Sequence, residues 1–217
     1  RQRQMCIRDR YRSEEIYFKI LSDAQIKAKM HLNEEDFTSN KVVKVWREAF
    51  KKFKTKKGAR SSIEALLKRV NNNHSIGNIN PLVDIYNAVS LEYAFPCGGE
   101  DMDSVKGDLK LTKAIGGESF LVLGSDDNSP ALENEIVYKD DIGAVCRCWN
   151  WRESKRTMLT EDTNNAFMCI EHIDSSRDGE FEAALESLRS NIEIHLGGIC
   201  EIYVLDSQNR KIEINVA

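Results

Sequence analysis

The chain has 217 residues, of which 41% are hydrophobic and 30% charged, with a mean hydropathy of −0.48. This suits one globular core with an appended segment. No run approaches the roughly eighteen apolar residues that a membrane-spanning helix needs, and no apolar signal-peptide centre stands near the N-terminus, so a soluble, cytoplasmic protein without a membrane partner is expected. Six cysteines without a CxxC pair or regular spacing argue against a disulfide framework or a zinc site, so reduced thiols, no metal and no cofactor are expected. The net charge of −4 hides an asymmetry: residues 1–70 hold 19 basic and 9 acidic residues, the remainder 12 and 26. A basic N-terminal part meets phosphates readily, although a charged surface is more often merely solvated.

Residues 1–10, RQRQMCIRDR, show no apolar periodicity and look like translated sequencing adapter, so a non-native or disordered tail is expected there. Residues 11–70 read as an N-terminal helical segment and 71–217 as the main domain, the two forming one compact unit. Tyr11 to Met30 is mixed, with Ile16, Phe18, Ile20 and Leu21 suggesting a short strand or a helical turn. After Ser39, Val42, Trp46, Ala49, Phe50 and Phe53 share one helical face, with Lys51, Lys52 and Lys54 on the others. A second helix opens at the capping box Ser61-x-x-Glu64 and buries Ile63, Leu66, Leu67 and Val70. Pro81 then sits in the first turn of a third, with Leu82, Ile85, Tyr86 and Val89 as its apolar stripe and Asp84 and Asn87 on another edge, able to face a pocket.

Beyond Pro96 the pattern changes to short strands between turn signals, at 109–114, 119–123, 135–138, 144–151 and 166–170. A late helix runs from about residue 180 to 196, capped by Gly197, and the chain ends in a hairpin-like pair, 201–205 and 211–214. The fold class is α+β.

The segment Asn80-Pro-Leu-Val-Asp-Ile-Tyr-Asn87 resembles the helix that opens the editing domain of the bacterial phenylalanyl-tRNA synthetase beta subunit. Gly107-Asp108, Gly117-Glu118 and the run Glu135 to Ala144 are similar to that domain's strand order. The block from Ala144 to Glu153, Leu159-Thr-Glu-Asp-Thr163, Val45 to Phe50 and Ser61 to Leu67 resemble small bacterial proteins that carry the domain alone. The resemblance runs from about residue 40 to the end of the late helix. It implies a three-layer β/β/α sandwich, tRNA or aminoacyl-tRNA as partner, and hydrolysis of a mischarged aminoacyl ester in trans, a reaction that needs a positioned water and oxyanion stabilisation but no strong side-chain nucleophile. The synthetase pattern has a histidine in a Pro-Leu-His-Ala-Phe-Asp context. Here the chain reads Phe95-Pro-Cys-Gly-Gly-Glu-Asp101, without it. A non-catalytic module for RNA, an amino acid or another small metabolite is the competing expectation.

Strand alternation along Val145 to Glu153 puts Arg147, Trp149, Trp151 and Glu153 on one face and Cys146, Cys148, Asn150 and Arg152 on the other. The first face is able to stack an aromatic group and pair its polar edge, or to be an ordinary Arg-Trp-Glu ladder. Cys97-Gly-Gly-Glu-Asp101 reads as a loop at a pocket mouth, with Gly98 and Gly99 allowing close backbone approach and Glu100 or Asp101 orienting water or an amino group. Candidate catalytic residues are Glu100 and, through the resemblance, which puts it near the synthetase glutamate that reads the tyrosine hydroxyl, Glu153. Candidate substrate contacts are Asn87, Gly98, Gly99, Asp101, Arg147, Trp149, Asn150 and, through the resemblance, Thr160. Candidate RNA contacts are Lys51, Lys52, Lys54, Lys56 and Lys57.

Overall fold

The computed structural model describes residues 7–124 and 127–214, with side chains described from residue 15 onward. The first helix, α1 (Ile7–Ala28), replaces the expected short strand or turn. Its buried residues are Tyr17, Leu21, Ala24 and Ala28, spaced by four, three and four. That spacing gives one helical face, whereas the alternating Ile16 and Phe18 that suggested a strand lie exposed. Of the expected tail, residues 7–10 belong to this helix and residues 1–6 lie outside the described residues.

The next two helices form as expected. In α2 (Lys41–Phe50) Val42, Val43, Trp46 and Phe50 are buried, and in α3 (Ser62–Asn71) Ile63, Leu67 and Val70 are. Each such side chain contributes roughly 1.5–3 kcal/mol by leaving water. The capping box does not form. Ser61 occupies the N-cap without a side-chain bond, because the Glu64 carboxylate instead accepts from Arg47 Nε at 3.2 Å and Nη2 at 2.7 Å, tying α3 to α2.

The central helix is α4 (Pro81–Tyr93), in which every residue from Val83 to Leu91 is buried. Asn80 Oδ1 caps it by accepting from Val83 N at 3.0 Å. Asp84 accepts from Ile79 N and Asn78 Nδ2, so it fastens the preceding loop and does not face a pocket. The helix packs against α1 on one side and α5 (Asp178–Leu196) on another.

Among the described residues six short strands make two antiparallel sheets: β1 (Cys97–Asp101), β2 (Lys110–Lys113), β3 (Ile136–Lys139), β4 (Ala144–Arg147), β5 (Arg152–Glu153) and β6 (Ala166–Ile170). One sheet is β1–β6, the other β2–β3–β4–β5. Three expectations change. The Cys97–Asp101 segment is a strand, because β6 pairs with it residue for residue. Residues 119–123 supply only isolated bridges, Leu121 to Asn128 and Val122 to Ser154. The C-terminal segments 201–205 and 211–214 form no ladder, although Asp206 closes a turn by accepting from Gln208 N and Asn209 N, both at 2.7 Å. Among the described residues no helix is long and apolar enough to cross a membrane.

Candidate functional site

A cavity of about 290 Å³ lies where both sheets meet α3 and α4. Strand periodicity decides what enters it. In the β1–β6 pair Gly98 faces Cys169 and Glu100 faces Phe167, and these four with Glu171 line the cavity, while Met168 and the Cβ direction of Gly99, whose backbone also lines the cavity, turn to the apolar core. In the second sheet Tyr138, Cys146 and Glu153 stand opposite one another on neighbouring strands and close the other wall. Tyr86 and Asn87 reach in from α4, Leu66 and Arg69 from α3, and Trp149, Asn150 and Trp151 from the turn between β4 and β5.

Three carboxyl groups thus share one mainly apolar space. Glu100 is 5% exposed and its Oε2 has no hydrogen-bond partner. Burial, and then the neighbouring Glu153, push its pKa far above the ordinary carboxylate range. Burial also raises Glu153, although its Oε1 accepts from Gly99 N at 3.2 Å. Glu171 is raised by burial too, against hydrogen bonds from the Tyr138 hydroxyl and the Cys169 thiol. Among the described residues none of these acids has an arginine or lysine at ion-pair distance, although Arg156 acts on Glu100 from farther off. The arrangement is therefore able to hold protons at neutral pH, move them, or meet a cationic group, in a cavity that Arg69 and Arg152 also line. Burial pushes the thiols of Cys97, Cys146 and Cys169 up as well, which leaves them poor nucleophiles. No group of His, Cys, Asp and Glu among the described residues could hold a metal ion.

Gly98 permits the close packing of these groups. A Cβ there would stand 2.8 Å from Glu153 Oε1. Gly99, on the opposite face, is hemmed in by Met168 Sδ at 2.6 Å and Leu159 Cδ1 at 2.9 Å. Both glycines thus belong to the site, one facing the acid and one carrying the N–H that binds it.

The 144–151 segment departs most from its sequence pattern. The strand stops at Arg147, and the chain reverses through Cys148 and Trp149 at φ +46° and +66°, left-handed values that L residues seldom adopt. Strain of order 1–3 kcal/mol per residue is offset by fixed bonds: Cys148 N donates to Glu135 Oε1 at 2.9 Å and Trp149 N to Ile136 O at 2.6 Å. Because the hairpin pairs Cys146 with Glu153 and Arg147 with Arg152, Arg147 and Glu153 fall on opposite faces. Arg147 leaves the pocket and forms a fully buried ion pair with Glu135. The expected Arg-Trp-Glu face therefore does not exist: Trp149, Trp151 and Glu153 line the cavity and Arg147 does not.

Of the other expected site residues, Asn87, Gly98, Gly99, Glu100 and Asn150 line the cavity. The Asn150 amide has no hydrogen-bond partner on either its Oδ1 or its Nδ2. Asp101 and Thr160 do not line it. Asp101 accepts from Asp103 N and from Thr163 Oγ1, and Thr160 Oγ1 accepts from Asp162 N, so both serve turns beside β1. The basic run is dispersed. Lys51 pairs with Glu48, Lys56 bonds Ser129 Oγ, Lys54 and Lys57 are exposed, and only Lys52 lines a second, larger groove. Sequence reading missed Glu171, Tyr138, Tyr86 and Phe167. The alternation Phe167, Cys169, Glu171 along β6 and the residue after it was visible, but nothing local shows which face of a half-buried strand meets a cavity.

Residues 45–186, more than half of the chain, match the B3/4 domain. Over 71 residues the chain is 38% identical to the phenylalanine–tRNA ligase beta subunit of Leifsonia xyli subsp. xyli (strain CTCB07), and over 68 residues 40% identical to that of Cutibacterium acnes (strain DSM 16379 / KPA171202). These stretches cover 32% and 31% of this chain but only 8% of each relative, so the chain spans a small part of the ligase subunits it matches. The chain belongs to the B3/4 domain family.

Proposed function

We propose that the chain binds the aminoacyl end of a tRNA and hydrolyses its ester in trans. The observation that carries this reading is the cavity in which Glu100, Glu153 and Glu171 stand among Tyr86, Tyr138, Trp149 and Phe167, in a domain related to part of a tRNA ligase subunit. The β/β/α layering of the synthetase editing domain belongs to the same reading. The aromatic walls suit an amino-acid side chain, and the acids suit its ammonium group. No histidine lines the cavity, so proton transfer falls to a carboxyl group. Glu153, raised toward neutrality, is matched to that task. It takes a proton from a water whose oxygen bonds to the ester carbon. As the carbon–oxygen bond to the ribose breaks, the same proton passes to the leaving oxygen and Glu153 is restored as a carboxylate.

The missing histidine gives a specific reason to keep a second reading, in which the cavity binds an amino acid or a small metabolite without hydrolysis. Incubation with a panel of charged tRNAs, including Tyr-tRNA(Phe), separates the two. Release of amino acid that is lost in Glu153→Gln supports the deacylase. Saturable binding of free amino acids with every ester left intact at the background rate rejects it.

A further inference from the structure

Beside the acidic cavity lies a groove of about 660 Å³ whose chemistry is the reverse. One wall is the outward face of α2 and the residues after it, with Lys41, Lys44 and Lys52 recurring at helical spacing. Lys113 of β2 faces the same groove, and Val45, Phe53 and Ile136 lend it apolar surface. Its two acids are already engaged, Asp174 with Lys41 at 3.2 Å and Glu48 with Lys51 at 2.6 Å. Lys44, Lys52 and Lys113 are exposed and carry no ion pair among the described residues. A protein of net charge −4 thus gathers four lysines against two acids along one apolar trough.

Trp149 is common to the groove and the cavity. Its ring packs edge-on against Trp46 and Phe53, with centroids 5.2 and 6.3 Å away. Its buried indole Nε1, near the Glu171 carboxylate, has no partner in hydrogen-bonding geometry. The left-handed backbone at Cys148 and Trp149 holds this ring at the boundary between the two spaces.

We infer that the groove receives the single-stranded 3′ end of an RNA, with Lys44, Lys52 and Lys113 on its phosphates and its last base against Phe53 and Trp149. Lysines over an apolar, aromatic floor match alternating phosphates and bases, and such stacking tolerates any base. A phosphate entering the cavity would lose its water beside carboxyls that burial itself keeps from ionising, so the strand's end enters only as a group without one, such as an esterified amino acid. This deepens the proposed function by naming the surface that presents the substrate, and it locates RNA contacts on the groove face instead of the whole basic run.

The test measures fluorescence anisotropy of a labelled short single-stranded RNA ending in a free 3′-hydroxyl. It compares the native chain, a groove variant (Lys44→Glu, Lys52→Glu and Lys113→Glu together) and a control variant of equal charge change (Lys54→Glu, Lys56→Glu and Lys57→Glu together), which leaves the Lys51 bond to Glu48 in place. All six lysines are exposed, so thermal unfolding is expected to be unchanged. The groove variant is expected to bind at least about tenfold more weakly, and to lower the slope of log affinity against log salt by about two, at roughly 0.7 for each phosphate no longer neutralised. The control is expected to stay within about twofold. Equal weakening in both variants, no weakening in either, no RNA binding by the native chain, or equal affinity for polyglutamate overturns the proposal. Hydrolysis of an aminoacyl-adenosine, which is too short for the groove, keeps the two ideas apart. If it is hydrolysed by a chain that does not use the groove, the groove fails and the deacylase stands. Groove-dependent RNA binding without any ester hydrolysis gives the converse.

Discussion

Glu135 accepts from Arg147 Nε at 2.9 Å and from Nη2 at 2.6 Å, and both side chains are at most 1% exposed. Arg147 Nη1 also donates to Ser129 O at 2.8 Å, while Glu135 accepts from Cys148 N and Leu132 N. Burial works against the Glu135 charge, but these hydrogen bonds outweigh it and hold the carboxyl below its ordinary range. The pair is the anchor from which the strained turn projects Trp149.

Removing one partner of this pair strands a buried charge and frees the turn. Glu135→Gln is expected to cost about 3–5 kcal/mol of stability. Replacing both, Glu135→Leu with Arg147→Met, is expected to recover a large part of that loss, because two neutral side chains need no counter-charge. Denaturant unfolding of the single and double variants measures the difference. Equal destabilisation by both would show that the turn needs the hydrogen bonds to Cys148 N more than charge balance.

The two neighbouring glycines are expected to respond differently to alanine. In Gly98→Ala the new methyl meets only the Glu153 carboxyl end, so the fold holds within about 1 kcal/mol while Glu153 is displaced and the site impaired. In Gly99→Ala it meets Met168 and Leu159 in the packed core, and overpacking is expected to cost about 1–3 kcal/mol. Melting temperatures set beside ester hydrolysis check the pair.

If Glu153 is the base, Glu153→Gln is expected to lower hydrolysis about a hundredfold or more with little change in ligand affinity. Single-turnover release of amino acid, measured beside equilibrium binding, reads the two effects separately.

The raised carboxyls also predict a pH dependence. A group whose folded pKa lies above its unfolded value stabilises the fold at pH below the unfolded value, and that contribution is lost as pH rises through the folded one. For Glu153 the window runs from the ordinary 4.5 to about 7, and for Glu100 from 4.5 to about 10. Stability is therefore expected to fall from mildly acidic to alkaline pH, and Glu100→Gln, which cannot ionise, is expected to flatten that fall. Unfolding curves taken across this range check the sign.

How much of this was legible in the sequence differs from element to element. The spacing of Val42, Trp46 and Phe50, the Pro81 start and the Gly197 stop are local signals, and α2, α4 and α5 follow them, because a helix satisfies its own backbone and needs only one apolar face. Residues 166–170 and 135–138 likewise read as strands, and the motifs from Asn80 to Glu153 pointed to the family that the comparisons show.

Long-range contacts alone set which way each strand residue turns and whom it meets. A two-residue period fixes alternation within one strand, but a turn resets it. The reversal at Cys148 and Trp149 therefore sent Arg147 to Glu135 and left Glu153 with Cys146. Glu171 joined Glu100 and Glu153 through the pairing of β6 with β1, which joins segments far apart in the chain. The local patterns carried α2 to α5 and the family, and they named Glu100, Glu153 and Trp149, which the structure brings to one cavity. The gathering of three acids behind one tryptophan was decided by strand pairing, because proximity across a cavity depends on long-range contacts that no local pattern records.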